Sequence, residues 1–295
     1  MLDPIRSLLT DPPPAMAFEV SEAGIAAARI TSKAELDFQP FKPGTLSVSP
    51  VKENVEDPDE FVMTVRSLSS TQAARKRKDV AIILPDYSAR ISVLDFDQFP
   101  SDPKEQSTLI RFRIKRSVPF DVDSAALSYH VQHGEKGRVD VVVVIAPLEI
   151  VSRYEAPFRT AGMNPGLVTL SSLAALELAP EHGLSVLAKL TGRVLTVLVR
   201  DKSTLKLARC VELPSTELAD ISDVLIPTFV YIEDNLSSRA EKLYLCGFGP
   251  RTEEAVGRFA EELTVECEPL RSPLGAPGEN NAGLLGYLRS IARNN

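Results

Sequence analysis

Residues 109–132, "LIRFRIKRSVPFDVDSAALSYHVQ", and residues 139–178, "VDVVVVIAPLEIVSRYEAPFRTAGMNPGLVTLSSLAALEL", move back and forth between two hydrophobic periods. The first stretch continues a helical pattern that starts at "SDPKEQ", where Asp102 is placed to cap and Pro103 to open the first turn. "AALSYHVQ" and "RVDVVVVIA" then read as two strands, and the unbroken apolar run Val141–Ile145 suits a strand covered on both faces. Helical spacing returns over Leu148–Thr160 and runs up to Gly162, with Pro157 expected to bend or break it. A short strand and a short helix over "GLVTLSSLAALEL" complete the block.

Working outward toward the N-terminus, "DVAIILP" and "ARISVLDF" read as strands, preceded by a helix in "DPDEFVMTVRSLSSTQAARKRK" that Asp57 caps and Pro58 opens. The basic cluster Arg75, Lys76, Arg77 and Lys78 reads as the solvated end of that helix, complementing its dipole, rather than as a lipid contact. Three short strands are expected around Phe18–Val20, Ile25–Ile30 and Thr45–Val48. Pro12, Pro13 and Pro14 make residues 1–15 a leader to the fold. Toward the C-terminus, "LSVLAKL", "RVLTVLVR" and "TLKLARCVEL" are three consecutive strands. A helical stretch Ser215–Leu236 follows, expected to split at Pro227, then strand "KLYLCGF", helix "RTEEAVGRFAEEL", strand "TVECEPL" and a terminal helix "AGLLGYLRSIAR". The order of three strands, helix, strand, helix, strand, helix is clean in the second half. The first half opens the same way before an extra block intervenes, a duplication of architecture rather than of residues.

The chain has 295 residues, 44% hydrophobic and 25% charged, with a formal net charge of -7, the composition of a globular protein without the basic excess that favours nucleic acid. No apolar run approaches the roughly 20 residues of a membrane span, and the first 18 residues lack a secretory signal's basic end and apolar centre, so a cytoplasmic protein is expected. Cys210, Cys246 and Cys267, odd in number and widely spaced, read as buried free thiols. His130 and His133 are three apart but have no third ligand in sequence, so they read as turn histidines and no metal site is expected. There is no G-x-S-x-G elbow and no G-x-x-x-x-G-K-[ST] loop.

The quoted block resembles the centre of the PilM family of type IV pilus assembly proteins, relatives of the cell-division protein FtsA. The features that carry the resemblance are Val118, Pro119 and Phe120 after a helix, Tyr129 in a strand, Ala146, and the Ala161-Gly162-Met163-x-Pro165 turn. The resemblance implies an α/β actin-like (ribonuclease H-like) duplicated fold with an FtsA-like, SHS2-like inserted subdomain in the first half. The corresponding domains are 16–86 with 163–182 for the first half, 87–162 for the insertion, and 183–281 for the second half. Residues 282–295 then form a terminal helix. Its Leu284, Leu288 and Ile291 are expected to pack back on the first half rather than lie on a membrane.

Relatives of this family that bind ATP carry an Asp-Ile-Gly turn, small hydroxyl residues and a Lys in the first strand pair. In "FEVSEAGIAAARI" Glu19 stands near the Asp, Ser21 near the Gly and Ala26 near the Lys, and Glu22 adds a charge that would repel phosphate. Glu19 and Glu22 therefore read as solvent-facing strand and turn residues. The second phosphate turn corresponds to "LAKLTGRVLTV", with Gly192 but no Asp; Lys189 and Arg193 remain as groups that could meet phosphate. The family's Asp-x-Glu falls on Thr169 and Ser171, and its adenosine-side turn on Gly247 and Gly249.

These substitutions imply a cytoplasmic scaffold of the pilus platform without ATPase activity or cofactor, held at the inner membrane through partners. The first partner implied is the cytoplasmic N-terminal tail of a PilN-like membrane protein, at a groove beside the insertion near Val118, Pro119 and Phe120; other platform proteins follow. Two alternatives stand beside this reading. One is an actin-like ATPase that binds Mg-ATP through substitute residues, and the other is a GspL-like cytoplasmic component of type II secretion.

Overall fold

Met16–Ser21 is buried at all six positions, which requires a central strand with both faces covered. In a computed structural model that describes residues 13–30, 34–69, 78–133 and 138–294, this segment is β1. It pairs antiparallel with β2 (Gly24–Ile30) and parallel with β4 (Lys78–Leu84). With β3 (Ala34–Pro40) and β8 (Met163–Leu170) they form a five-stranded sheet of order β3-β2-β1-β4-β8. The second half repeats it. β9 (Leu184–Thr191), β10 (Val194–Asp201), β11 (Thr204–Glu212), β12 (Lys242–Cys246) and β13 (Glu266–Pro269) take the order β11-β10-β9-β12-β13.

The two opening hairpins match in register. Ser21 pairs with Gly24 and Glu19 with Ala26 in the first; Thr191 pairs with Val194 and Lys189 with Thr196 in the second. Glu19 and Lys189 are thus equivalent positions of the duplication.

Local sequence explains the helices. The Asp57 carboxylate accepts the Glu60 N–H at 3.0 Å and so caps α1 (Pro58–Ser69). Asp102 accepts the Lys104 and Glu105 N–H groups at 3.0 and 3.1 Å and caps α2 (Pro103–Ile114). Both prolines occupy the first helical position, where no N–H is needed. Of the basic cluster, residues 75–77 lie outside the described residues, and Lys78 opens β4 instead of closing a helix.

Three expectations change. The third strand is Ala34–Pro40, whereas the segment Thr45–Val48 makes only the isolated bridge Leu46↔Val55. Residues 35–40 are exposed, so this edge strand lacks the burial alternation that marks a strand in sequence. α3 (Leu148–Thr160) continues through Pro157, because Tyr154 and Phe158 anchor both sides of it in the first-half core. α5 (Leu218–Leu236) likewise runs through Pro227, with Ile221, Leu225, Thr228 and Ile232 buried along one face. In each case packing outweighs the roughly 3 kcal/mol that an interior proline costs.

The insertion carries its own sheet, β5 (Arg90–Phe96), β7 (Val139–Pro147) and β6 (Ala125–His133) in the order β5-β7-β6, over a core of Phe96, Ile110, Ile114 and alternate residues of β7. By packing, α3 belongs with the first half rather than with the insertion, since the Phe158 ring lies 5.0 Å from Phe18 and 5.9 Å from Phe61, centroid to centroid. The insertion also grips the second half. Gln132 exchanges both of its amide hydrogen bonds with the Leu205 backbone, at 2.8 and 2.9 Å.

α6 (Thr252–Leu263) packs its Ala255 and Phe259 into the second-half core, and α4 (Ser171–Ala175) and α7 (Ala282–Asn294) close the structure. Leu284, Tyr287, Leu288 and Ile291 of α7 cover Ala17, Ala26, Ala28, Ala81 and Ile83 of the first sheet. The apolar face that could have met a membrane is therefore buried against protein. Gly286 makes the approach possible, because a Cβ there would lie 1.9 Å from the Ala174 carbonyl oxygen. Among the described residues no helix is long and apolar enough to cross a membrane.

Candidate functional site

The two hairpin turns, Glu22–Ala23 and Gly192–Arg193, face each other across a cleft of about 520 Å³ that Asp86 and Glu279 also line. Beneath it lies a polar cluster that the sheets exclude from water: Glu19 is 1% exposed, Lys189 2% and Asp86 5%. A buried charge must be paired and hydrogen-bonded, and each of these is. Glu19 accepts from the Ser171 hydroxyl and, at 2.7 Å, from the Leu284 N–H in the first turn of α7. Asp86 accepts from the Ser172 N–H at 2.7 Å, the Thr196 hydroxyl at 3.2 Å and the Lys189 ammonium at 3.5 Å. Lys189 also donates to the Thr191 hydroxyl at 2.6 Å. Asp86 thus comes from the first half while Lys189 and Thr196 come from the second, so the cluster pins the halves together.

Glu19, expected at the surface, is buried because α7 covers that face of β1. Burial raises its pKa above the ordinary carboxylate value, against the opposing pull of Lys189 and the Ser171 and Leu284 hydrogen bonds. For Lys189 burial disfavours the charge, but Asp86 and Glu19 outweigh it and hold the pKa above the ordinary lysine value.

Turn N–H groups and helix N-termini are where a protein binds phosphate. Here those donors are already occupied by carboxylates of the same chain. The Gly192 N–H donates to Glu279, the Leu284 N–H to Glu19, and the Ser172 N–H to Asp86. Glu22, at the tip of the first turn, accepts the Val48 N–H at 2.7 Å. Glu22, Asp86, Glu212 and Glu279 all line the cleft, and its Arg193 is held by Glu212 at 2.5 Å. A polyphosphate entering here would meet carboxylates where a phosphate site presents donors.

The structure brings Ser21 and Gly192 to this cleft and Glu19 directly beneath it. The Ser21 hydroxyl is spent on the Gly24 carbonyl at 3.1 Å. Gly247 stands behind the cleft for a packing reason: its φ is +84°, and a Cβ would lie 1.9 Å from the Leu190 carbonyl oxygen. Gly249 opens a short 3₁₀ turn with open space around it. Thr169 and Ser171 separate, the first to another groove and the second onto Glu19. Asp86, Ser172, Thr196 and Glu279 were not singled out in sequence. Asp86 alone had a signal, a Pro-Asp pair directly after an apolar strand; Glu279 lies 87 residues from the N–H it caps.

A second concavity of about 360 Å³ lies between β6 and β8, each the last strand of its sheet and without a further strand partner among the described residues. Leu84, Leu127, Val142, Val168, Leu170 and Leu173 supply its apolar lining, and Ser128, Tyr129 and His130 its polar one. Val118 and Phe120 do not line it; they pack, half-buried, on the core of the insertion. His130 faces this groove, the side chain of His133 lies outside the described residues, and no group of three metal-ligating side chains is found among the described residues. Cys210, Cys246 and Cys267 are free, the first and last half-buried, and burial pushes each thiol up to about 12, far from a nucleophile's range.

No family model matches the sequence, and no curated protein matches it. Solved structures do. A chain of the PilM-PilN type IV pilus biogenesis complex has a TM-score of 0.70 at 18% identity, covering 95% of this chain and 99% of that one. A protein from Bacteroides thetaiotaomicron with an actin-like ATPase fold and unknown function gives 0.56 at 12% identity, covering 92% and 94%. The cytoplasmic domain of EpsL, an inner membrane component of the type II secretion system of Vibrio cholerae, gives 0.52 at 13%, covering 95% and 94%. The fold is the α/β actin-like fold that the resemblance implied.

Proposed function

We propose that this chain is a scaffold of a type IV pilus or related secretion machine that works through the β6–β8 groove and does not turn over ATP. The observation that carries the reading is the apolar groove between two strands that end their sheets among the described residues, in a fold shared with a chain of the PilM-PilN complex. Strand edges bind an extended peptide through main-chain hydrogen bonds, and alternate side-chain pockets select it. The occupant is the cytoplasmic N-terminal tail of a PilN-like inner-membrane protein, and that partner holds the chain at the cytoplasmic face of the membrane.

The carboxylates seated on the cleft's backbone donors support the absence of nucleotide chemistry. Two titrations test the proposal. A labelled tail peptide from a PilN-like protein should bind saturably, and lose binding when Val168 becomes Asp; unaltered binding sinks the assignment of the groove. Mg-ATP in excess should leave the unfolding temperature unchanged, whereas a saturable rise would mean that the carboxylates yield to phosphate and that the ATPase reading is the better one.

A further inference from the structure

We propose that a cavity of about 270 Å³, where the end of β13 meets α7 and the segment 178–180, binds a phosphate monoester with a compact apolar body. The site shares no lining residue with the cleft or with the β6–β8 groove. Its donors converge from three parts of the fold: Tyr244 from β12, Arg271 and Ser272 from the segment after β13, and Arg289 from α7. The exposed Arg271 guanidinium has no ion pair or hydrogen bond among the described residues. Arg289 donates to the Leu178 carbonyl at 2.9 Å, which fixes the side chain and leaves its other N–H groups without an acceptor among the described residues. Ser272 accepts the Leu274 N–H at 3.1 Å, and its own proton remains to be donated.

Tyr244 is the group that calls for a ligand. It is only 6% exposed and lines the cavity, yet its hydroxyl has no hydrogen-bond partner among the described residues, where a buried tyrosine ordinarily finds one. Burial raises its pKa above the ordinary tyrosine value, so at neutral pH the hydroxyl is a donor. Arg200, within electrostatic reach of that hydroxyl, is 5% exposed and donates to the Leu176, Ala179 and Pro180 carbonyls rather than to a carboxylate, and its Nε is unpaired. The nearby carboxylates are engaged elsewhere. Glu268, on the cavity wall, is held by Lys242 at 3.2 Å, and Glu177 and Glu181 are held by Arg293 at 3.6 and 2.9 Å. The guanidiniums therefore present uncompensated positive charge. A carboxylate would be satisfied by one guanidinium fork, whereas the three oxygens of a phosphate can use two forks and the hydroxyls between them. Leu178, Pro269, Leu270 and Pro273 give the body an apolar wall. A cavity at the small end of ligand pockets takes one phosphate and a compact body, not a nucleoside triphosphate.

Calorimetric titration of the full-length protein at fixed ionic strength tests the site, with phenyl phosphate, inorganic phosphate and benzoate as probes. Phenyl phosphate should bind saturably, and more tightly than either of the others. Arg271→Gln and Tyr244→Phe should each weaken it about 10-fold or more, the loss of one hydrogen bond to a charged group. Arg193→Gln, in the cleft, should leave it unchanged. Urea unfolding without ligand verifies that each variant is folded. Absence of binding at millimolar phenyl phosphate overturns the proposal. Binding that neither Arg271→Gln nor Tyr244→Phe weakens, or that Arg193→Gln abolishes, overturns it too, since the phosphate would then sit elsewhere. Benzoate binding as tightly as phenyl phosphate overturns the assignment to phosphate, and inorganic phosphate doing so overturns the apolar body.

Discussion

Glu19 and Lys189 stand at the same register position in the two halves, each two residues before the last pair of its opening hairpin, and their opposite charges interact in the buried cluster between the sheets. The repeated architecture places a polar residue at this point in both halves, and their opposite signs make the pair a fastening that Asp86 completes.

Removing the lysine should therefore loosen the halves. Lys189→Met leaves Glu19 and Asp86 buried without a cation, a loss of about 3–5 kcal/mol at neutral pH. Glu19 already has a folded pKa above its unfolded one, so its contribution to stability is full below the ordinary carboxylate value and is lost as pH rises through the folded pKa. The deficit of the variant should accordingly shrink toward acid. Urea unfolding at a series of pH values reads it, and a deficit independent of pH would contradict this account of the cluster.

The two glycines of "CGFGP" should separate. Gly247→Ala places a methyl against the Leu190 carbonyl and adds left-handed strain, which together cost roughly 2–4 kcal/mol. Gly249→Ala carries strain but no clash and should cost about 1 kcal/mol. Equal losses, measured by chemical denaturation, would refute the packing role of Gly247.

In the insertion, stability and binding should part. Phe120→Ala removes a half-buried ring from that core and is expected to lower stability by about 1–3 kcal/mol with tail affinity unchanged. Val168→Asp should do the reverse. Calorimetric titration of the tail peptide against both variants decides, and weakened binding with Phe120→Ala alone would return the partner site to the Val118–Phe120 turn.

Cleft donors offer a further check. Glu279→Ala frees the Gly192 N–H, yet Glu22, Asp86 and Glu212 still line the cleft, so Mg-ATP should remain without effect on thermal unfolding. Were that single substitution to confer a saturable shift, Glu279 alone would be what excludes phosphate. A ligand at 100 times its dissociation constant adds about 2.7 kcal/mol, well within detection.

Much of this was legible locally. Asp57-Pro58 and Asp102-Pro103 announced two helix starts, because capping needs only neighbours in sequence. The run Val141–Ile145 announced the central strand of the insertion, because a covered strand needs apolar residues on both faces. Neither Pro157 nor Pro227 interrupts its helix, so the break expected at each did not occur, since the cost of a helical proline is local but the packing that offsets it is not. Val118, Pro119 and Phe120 carried the family resemblance, yet a motif does not say whether a side chain turns into its own core or toward a partner.

Most of the order of elements in each half was written in hydrophobic period, which a short segment carries independently of the rest; the exposed edge strand Ala34–Pro40 carried no such period, and the actin-like fold came from the resemblance of the central block. Glu19 shows what was not written locally. Its burial depends on α7 folding back across 265 residues to supply the Leu284 N–H, and on Lys189 arriving from the other half. Whether a carboxylate is a solvated turn residue or part of a buried charge cluster is set by what covers it, and only the tertiary structure brings that cover into place.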